Sequence, residues 1–292
     1  MKNPQCEVVR FNAVDGFIYK GLLYSSNNSK KTIIHIHGMC GNMLSFSSLI
    51  DLADAYIRNG YNLLTFNLKA HDCIAEGSWT EGSSSNDDYF FYVGGSLEPF
   101  ERCIIDIESA INFVSQFSDK IILQGHSMGC ERIITFQLAT QKEYNIILIS
   151  PCDAYKLQMN YIYPKTIADQ IEELKQYDDT TLLPPHFFGI NSGEKGEYTI
   201  PIYKKAFSSI LTGMALKVFR QDKNLKYYLP ISCICLLGKS DPLQTYPPQK
   251  AFDVLKPKFQ KFVGFALNGD HEMIPVENEM VSLILEWLKE LE

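Results

Sequence analysis

The segment KIILQGHSMGCERIITF (120–136) constrains the fold of this chain more than any other. An apolar, β-branched run meets the pentapeptide Gly125-His126-Ser127-Met128-Gly129, and a helical pattern starts at Met128. A strand that turns sharply into a helix through Gly-x-Ser-x-Gly holds its serine in a strained backbone conformation; the glycines remove side chains that would strike adjacent strands. The serine hydroxyl is thereby lifted to the carboxyl end of a sheet, where the helix N-terminus favours negative charge. The pentapeptide alone also occurs as an ordinary glycine-rich turn. The strand before it and the helix after it favour the catalytic reading, with Ser127 as candidate nucleophile.

The rest of the chain supplies the sheet such a turn needs. CEVVRFN (6–12) and GFIYKGLLY (16–24) flank Asp15-Gly16, a hairpin signal. TIIHIH (32–37) is the next strand. A helix is expected around 46–57, where Phe46, Leu49, Ile50, Ala53, Tyr56 and Ile57 recur at helical spacing, with Gly60 ending it. YNLLTFN (61–67) is a strand, and a Gly/Ser/Asp-rich loop is expected over 75–88. A second helix is expected over 98–117, and NIILIS (145–150) follows the helix after Ser127 as a further strand. This alternation predicts a mostly parallel sheet with helices on both faces.

The rhythm stops over 152–228, where helical patches (166–177 and 203–220) flank a Pro/Gly-rich stretch. It resumes with ISCICLLG (231–238), KFVGFALN (261–268) and a terminal amphipathic helix over 276–291. The expected organisation is therefore a core of 1–151 and 229–292 carrying a helical lid over 152–228.

A serine hydroxyl attacks a carbonyl only when a base takes its proton, and that base must be oriented. Of the six histidines, only His186 and His271 follow Ser127. His186 falls in the expected lid, whereas His271 lies in NGDHE, directly after the last strand; His271 is the candidate base. Asp241, in LLGKSDPL after the preceding strand, is the candidate acid. Asp153 is its rival, and Asp270 is too close to His271 in sequence to reach its ring. Two donors are needed for the oxyanion: the backbone N–H of Met128, after the nucleophile, and that of Met39 in His37-Gly38-Met39-Cys40-Gly41-Asn42. His37 and Asn42 could brace that loop or serve as plain polar residues. Cys40 and Cys130 read as small packing residues.

In this order, HIHGMCGN, GHSMG, LLGKSDPL and NGDHEM resemble the oxyanion loop, elbow, acid loop and histidine loop of the α/β-hydrolase superfamily. The resemblance spans nearly the whole chain. It implies the α/β-hydrolase fold, with an eight-stranded, mostly parallel sheet, and a Ser127–Asp241–His271 triad. One departure is clear. Many relatives carry D-x-R-G-H-G-x-S after the second parallel strand, where this chain has NLKAHDCIAEGS. GHSMGCER, ISPCDAY and GGSLEPFERCIIDIESAINFV are also similar to a hydrolase group that includes siderophore esterases, in which a serine attacks ester bonds of an iron-chelating macrocycle.

Composition bounds the remaining function classes. A net charge of −7, without a basic cluster longer than Lys30-Lys31, argues against nucleic acid as a partner. No stretch approaches the roughly 18 uninterrupted apolar residues of a membrane span, and MKNPQCEVVRF lacks a signal-peptide core, so a soluble cytoplasmic protein is expected. The eight cysteines are scattered and read as reduced, buried thiols. Cys233 and Cys235 share a strand face without further ligands at metal-site spacing, so no metal is expected. No cofactor is implied either, because the triad supplies nucleophile, base and electrostatics. The leading expectation is a serine hydrolase acting on a small-molecule carboxylic ester through an acyl-enzyme. An acyltransferase or thioesterase could use the same triad on a carrier-bound or peptide-like substrate. An inactive hydrolase-fold binding protein is the reading from another class.

Overall fold

A computed structural model describes residues 5–80, 88–191, 197–213, 219 and 227–292. The chain opens with β1 (Gln5–Asn12) and β2 (Ile18–Ser25), paired antiparallel across the Asp15-Gly16 turn. Then come β3 (Lys31–Ile36), α1 (Leu49–Arg58) and β4 (Asn62–Phe66). β5 (Ala75–Thr80) and β6 (Asp88–Val93) pair antiparallel in a separate ribbon. A loop was expected there. AEGS, the first four residues of AEGSWT, are weak strand formers, and the segment is extended because each residue from Ala75 to Thr80 pairs with one of β6; the tip of that expected loop, 81–87, lies outside the described residues.

α2 (Cys103–Val114) begins later than its periodicity suggests. Pro99 is extended at ψ 147°, and a 3₁₀ turn over Phe100–Arg102 leads into the helix. β7 (Lys120–His126), α3 (Met128–Thr140) and β8 (Asn145–Ile149) follow as expected. Between β8 and the next sheet strand the chain forms α4 (Ala154–Leu157), a π-helical turn over Gln158–Ile162 and α5 (Ile167–Leu174). It then forms a short antiparallel ribbon of β9 (Gly189–Asn191) and β10 (Glu197–Thr199), and α6 (Lys204–Thr212). Helix was the only structure expected here. Strands of three residues are too short to show a period of two, so the ribbon left no pattern. Most of the expected 203–220 helix beyond Thr212 lies outside the described residues. The chain ends with β11 (Leu229–Gly238), α7 (Pro248–Leu255), β12 (Phe259–Leu267) and α8 (Glu277–Glu290).

Eight strands form the main sheet, in the order β1-β2-β4-β3-β7-β8-β11-β12. All neighbours from β4 to β12 are parallel, and β1 and β2 add an antiparallel edge. The alternation of side chains sorts the strands onto two cores. On β11, Cys233, Cys235 and Leu237 enter one core with α2, α3 and α7, while Ile234 and Leu236 enter the other with α1 and α8. Cys233 and Cys235 thus share a face, buried and unbridged like the other buried cysteines. Phe187, Phe207 and Leu174 belong to the first core, so the 152–213 segment is continuous with it. Among the described residues no helix is long and apolar enough to cross a membrane.

The sheet order also places the site. From β3 the chain runs outward to β4, and β7 then returns on the other side of β3. Loops leaving β3 and β7 diverge there, opening a crevice at the carboxyl ends of both strands.

Candidate active site

Ser127 stands between β7 and α3 with φ 53° and ψ −130°. That is a costly conformation for a residue with a Cβ, and such strain concentrates at functional sites. The surroundings enforce it. The Ser127 N–H donates to the Ile149 carbonyl at 2.9 Å, and its own carbonyl accepts from the Cys130 N–H at 2.9 Å. Gly129 makes the tight turn possible, because a Cβ there would meet the Ile36 carbonyl oxygen at 2.0 Å. The buried Cys152 thiol lies against the Ser127 hydroxyl; burial keeps that thiol protonated by raising its pKa well above the usual range.

The structure brings Asp241 and His271 together. His271 Nδ1 and Asp241 Oδ2 are 2.8 Å apart, and the aspartate side chain is fully buried. The carboxylate is anchored by its own loop: Oδ1 accepts the Leu243 N–H at 2.8 Å, and Oδ2 accepts the Gln244 amide at 3.2 Å. Gln244 also donates to the Pro151 carbonyl at 3.0 Å, tying the acid loop to the end of β8. Asp153 is engaged elsewhere, capping α4 by accepting the Lys156 N–H at 3.1 Å. Asp270 accepts the Glu272 and Ile274 N–H groups and shapes the histidine turn. His186 stacks on Phe187 in the 152–213 segment.

The His271 backbone is held as firmly as its ring. Its carbonyl accepts Ser150 Oγ at 2.8 Å and His126 Nε2 at 3.0 Å. His126 stacks on Phe46 with centroids 4.4 Å apart, and burial lowers its pKa to about 3. It is therefore a neutral imidazole, donating from Nε2 to that carbonyl.

The loop after β3 carries Met39, and it presses on the serine: a Cβ on Gly38 would lie 3.0 Å from Ser127 Cβ. Met128 opens α3, so its N–H belongs to the first turn, whose amides have no intrahelical partner. His37 and Asn42 do brace the loop. Buried and held neutral, His37 donates from Nδ1 to the Gly38 carbonyl at 2.9 Å and accepts the Leu68 N–H at Nε2. Asn42 donates to Asp72 at 2.9 Å, and the Asp72 N–H returns to the Gly41 carbonyl at 2.8 Å. The NLKAHDCIAEGS segment, which departs from the usual motif, thus supports the loop through Asp72. Arg132 adds a contact that sequence reading missed. Fully buried, it donates to the His37 and Gly38 carbonyls at 2.9 and 3.1 Å. The visible signal was the pair Glu131-Arg132, two charges inside the otherwise apolar start of a helix.

Ser127, His271, Met39 and Met128 all open onto one cavity of about 520 Å³. Leu157, Ile162, Phe188, Ile200 and Ile210, which follow β8 in the chain, also line it. Among the described residues, no group of three or more His, Cys, Asp or Glu could hold a metal ion.

Neither a protein-family model nor a curated protein matches the chain. Solved structures do. The Pf2001 esterase of Pyrococcus furiosus superposes with a TM-score of 0.64 at 17% identity, over 99% of this chain and 91% of that one. Est1E of Butyrivibrio proteoclasticus gives 0.64 at 11%, over 97% and 98%. The esterase domain of a Rhodothermus marinus protein gives 0.60 at 14%, over 98% of each chain. The chain has the α/β-hydrolase fold. In this fold the strand-to-helix elbow after β7 and the loop after β3 face each other across the switch point, which is where Ser127 and Met39 stand. The loops after β11 and β12, the last two parallel strands, carry Asp241 and His271 and bring them together beside Ser127's strand end.

Proposed function

We propose that this protein is a serine hydrolase that cleaves a carboxylic ester of a small molecule through an acyl-enzyme. One observation carries the reading: the strained Ser127 and His271, the latter hydrogen-bonded to the buried Asp241, open onto the same cavity. The esterases among the structural neighbours support it, and about 520 Å³ suits a small organic substrate. Residues 152–228 act as a lid over a core of 1–151 and 229–292.

The chemistry follows from the tautomer. With Nδ1–H donated to Asp241, His271 keeps a lone pair on Nε2. Nε2 takes the Ser127 proton as Oγ bonds to the ester carbonyl carbon. The resulting oxyanion accepts hydrogen bonds from the Met39 and Met128 N–H groups. Collapse breaks the carbon–oxygen bond to the alcohol, which leaves with the proton from His271. Water then repeats the attack on the acyl-enzyme, giving its proton to His271. The carboxylic acid departs and Ser127 recovers its proton. Asp241 stabilises the imidazolium in both halves.

A fluorophosphonate probe tests the assignment. The wild-type protein is expected to be labelled, and Ser127→Ala is expected to be silent; a folded wild type that resists labelling overturns the enzyme reading. Ser127→Ala and His271→Ala should each lower turnover of a p-nitrophenyl ester by roughly three orders of magnitude or more. Asp241→Asn should be severe and Asp153→Asn mild. The reverse pattern would transfer the acid role to Asp153.

A further inference from the structure

The triad mechanism makes no use of Glu131, a charged residue of the cavity wall. Glu131 lies on the first turn of α3, is only 1% exposed and lines the cavity. Among the described residues, neither of its carboxyl oxygens has a hydrogen-bond partner. Its own N–H and that of Cys152 favour the ionised form slightly, but neither reaches hydrogen-bond geometry. Arg132, the adjacent cation, aims at the His37 and Gly38 carbonyls instead. Burial pushes the Glu131 carboxyl up to about 8, and the negative charge of Asp153 adds to the shift. A buried polar group without a partner destabilises a fold, more so when it is charged. Glu131 shares the lining of the cavity with Met128, Leu157, Ile162, Phe188 and Ile210. A leucine would fit such a lining at lower cost.

We propose that Glu131 determines specificity, and that the preferred ester carries an amine received at the Glu131 carboxyl inside a mostly apolar cavity, which Glu272 also lines. This rests on the ester-hydrolase reading. The choice of an amine follows from what the carboxyl lacks. An ammonium brings three donors to two empty acceptors, and its charge also offsets the Glu131–Asp153 repulsion. A hydroxyl brings one donor and no charge. An anionic group meets two carboxyls, and a purely apolar substrate leaves both oxygens orphaned in a drier cavity. When the ammonium binds, Glu131 gives its proton to solvent and the amine keeps its own, since an alkylammonium is the weaker acid.

Two measurements test this, one of them independent of turnover. Hexylamine should raise the melting temperature of the wild-type protein more than 1-hexanol does, and the difference should vanish in Glu131→Gln and in Glu131→Leu. The leucine variant keeps the site filled should glutamine prove unstable. Equal shifts from the two ligands, or an amine shift surviving in both variants, overturns the amine site. In turnover, kcat/KM for p-nitrophenyl 6-aminohexanoate is compared with p-nitrophenyl heptanoate. The same comparison is made for 6-aminohexyl and heptyl butanoate, which carry the difference on the alcohol side. At least one pair should favour the amine by about ten-fold or more, the scale of one hydrogen bond to a charged group, with the ratio collapsing in Glu131→Gln. Absence of preference in both pairs overturns the specificity role. Failure to cleave all four esters, together with no fluorophosphonate labelling, removes the hydrolase reading instead, and the melting data still decide the amine site.

Discussion

Ser127 owes its geometry to its neighbours rather than to itself. A serine left to its own preferences avoids φ 53°, ψ −130°. It is held there by the Ile149 and Cys130 hydrogen bonds and by the bare α-carbon of Gly129, which sits against the β3 backbone. Gly129→Ala is therefore expected to do more than change a side chain. Its Cβ would lie 2.0 Å from the Ile36 carbonyl, a contact relieved only by moving α3 or β3. We expect a loss of at least about 3 kcal/mol of stability, as for other strongly overpacked sites, with fluorophosphonate labelling lost even in the folded fraction. Urea denaturation together with labelling reads both. A stable, labelled Gly129→Ala protein would mean that the elbow tolerates a shift in this packing.

At the level of elements, α3 serves the loop after β3 as well as its own N-terminus. Arg132 reaches across to the His37 and Gly38 carbonyls, and His37 in turn grips Leu68 after β4. Asn42 and Asp72 close the same assembly from the other side. The helix that presents Met128 thus also sets where Met39 stands. Arg132→Met removes the guanidinium donor from the His37 and Gly38 carbonyls, of which Gly38 keeps the His37 ring bond, while roughly keeping side-chain volume. In the proposed mechanism Met39 and Met128 donate to an oxyanion that develops only in the transition state, so kcat should fall by about ten-fold or more with KM little changed. Steady-state kinetics on a p-nitrophenyl ester decide it. A raised KM with kcat intact would show that Arg132 shapes ground-state binding instead.

For the whole molecule, the buried histidines make stability depend on acidity. Burial lowers His35 and His126 to about 3 and holds His37 well below its ordinary value. A folded-state value below the unfolded one means that the unfolded chain binds the extra protons. The stabilisation is full above the unfolded value of about 6.5 and is lost as pH falls towards 3. His35 and His126 together give a slope of about 3 kcal/mol per pH unit well inside that window, and His37 acts in the same direction. Glu131 acts with the opposite sign. Its folded value of about 8 lies above the ordinary glutamate value of about 4.5, so its contribution is full in acid and lost as pH rises between the two. Urea midpoints should therefore fall steeply below pH 6, and Glu131→Gln should gain most over the wild type near pH 8. A flat profile between pH 6 and 4 would show that these imidazoles titrate normally.

Much of the molecule was legible in the order of its residues. The strand–turn–helix around Ser127, the alternating parallel core and the order of Ser127, Asp241 and His271 all appeared in short windows. Period, turn chemistry and glycine placement act between near neighbours and so are written there. What the tertiary structure decided lies between residues far apart in sequence. Asp241 rather than Asp153 meets His271, because the Leu243 and Gln244 donors lock its carboxylate in the acid loop while Lys156 turns Asp153 into a helix cap. The carbonyl of His271 is gripped by Ser150 and His126, on two other strand ends. β5 and β10 are strands by pairing alone, since most residues of β5 prefer other conformations and β10 is too short to show a period. The partners of Arg132, and the want of one at Glu131, depend on which side chains a folded helix brings to which wall. No local pattern encodes that, because the desolvation that makes a buried charge matter exists only after the sheet and its cover have closed around it.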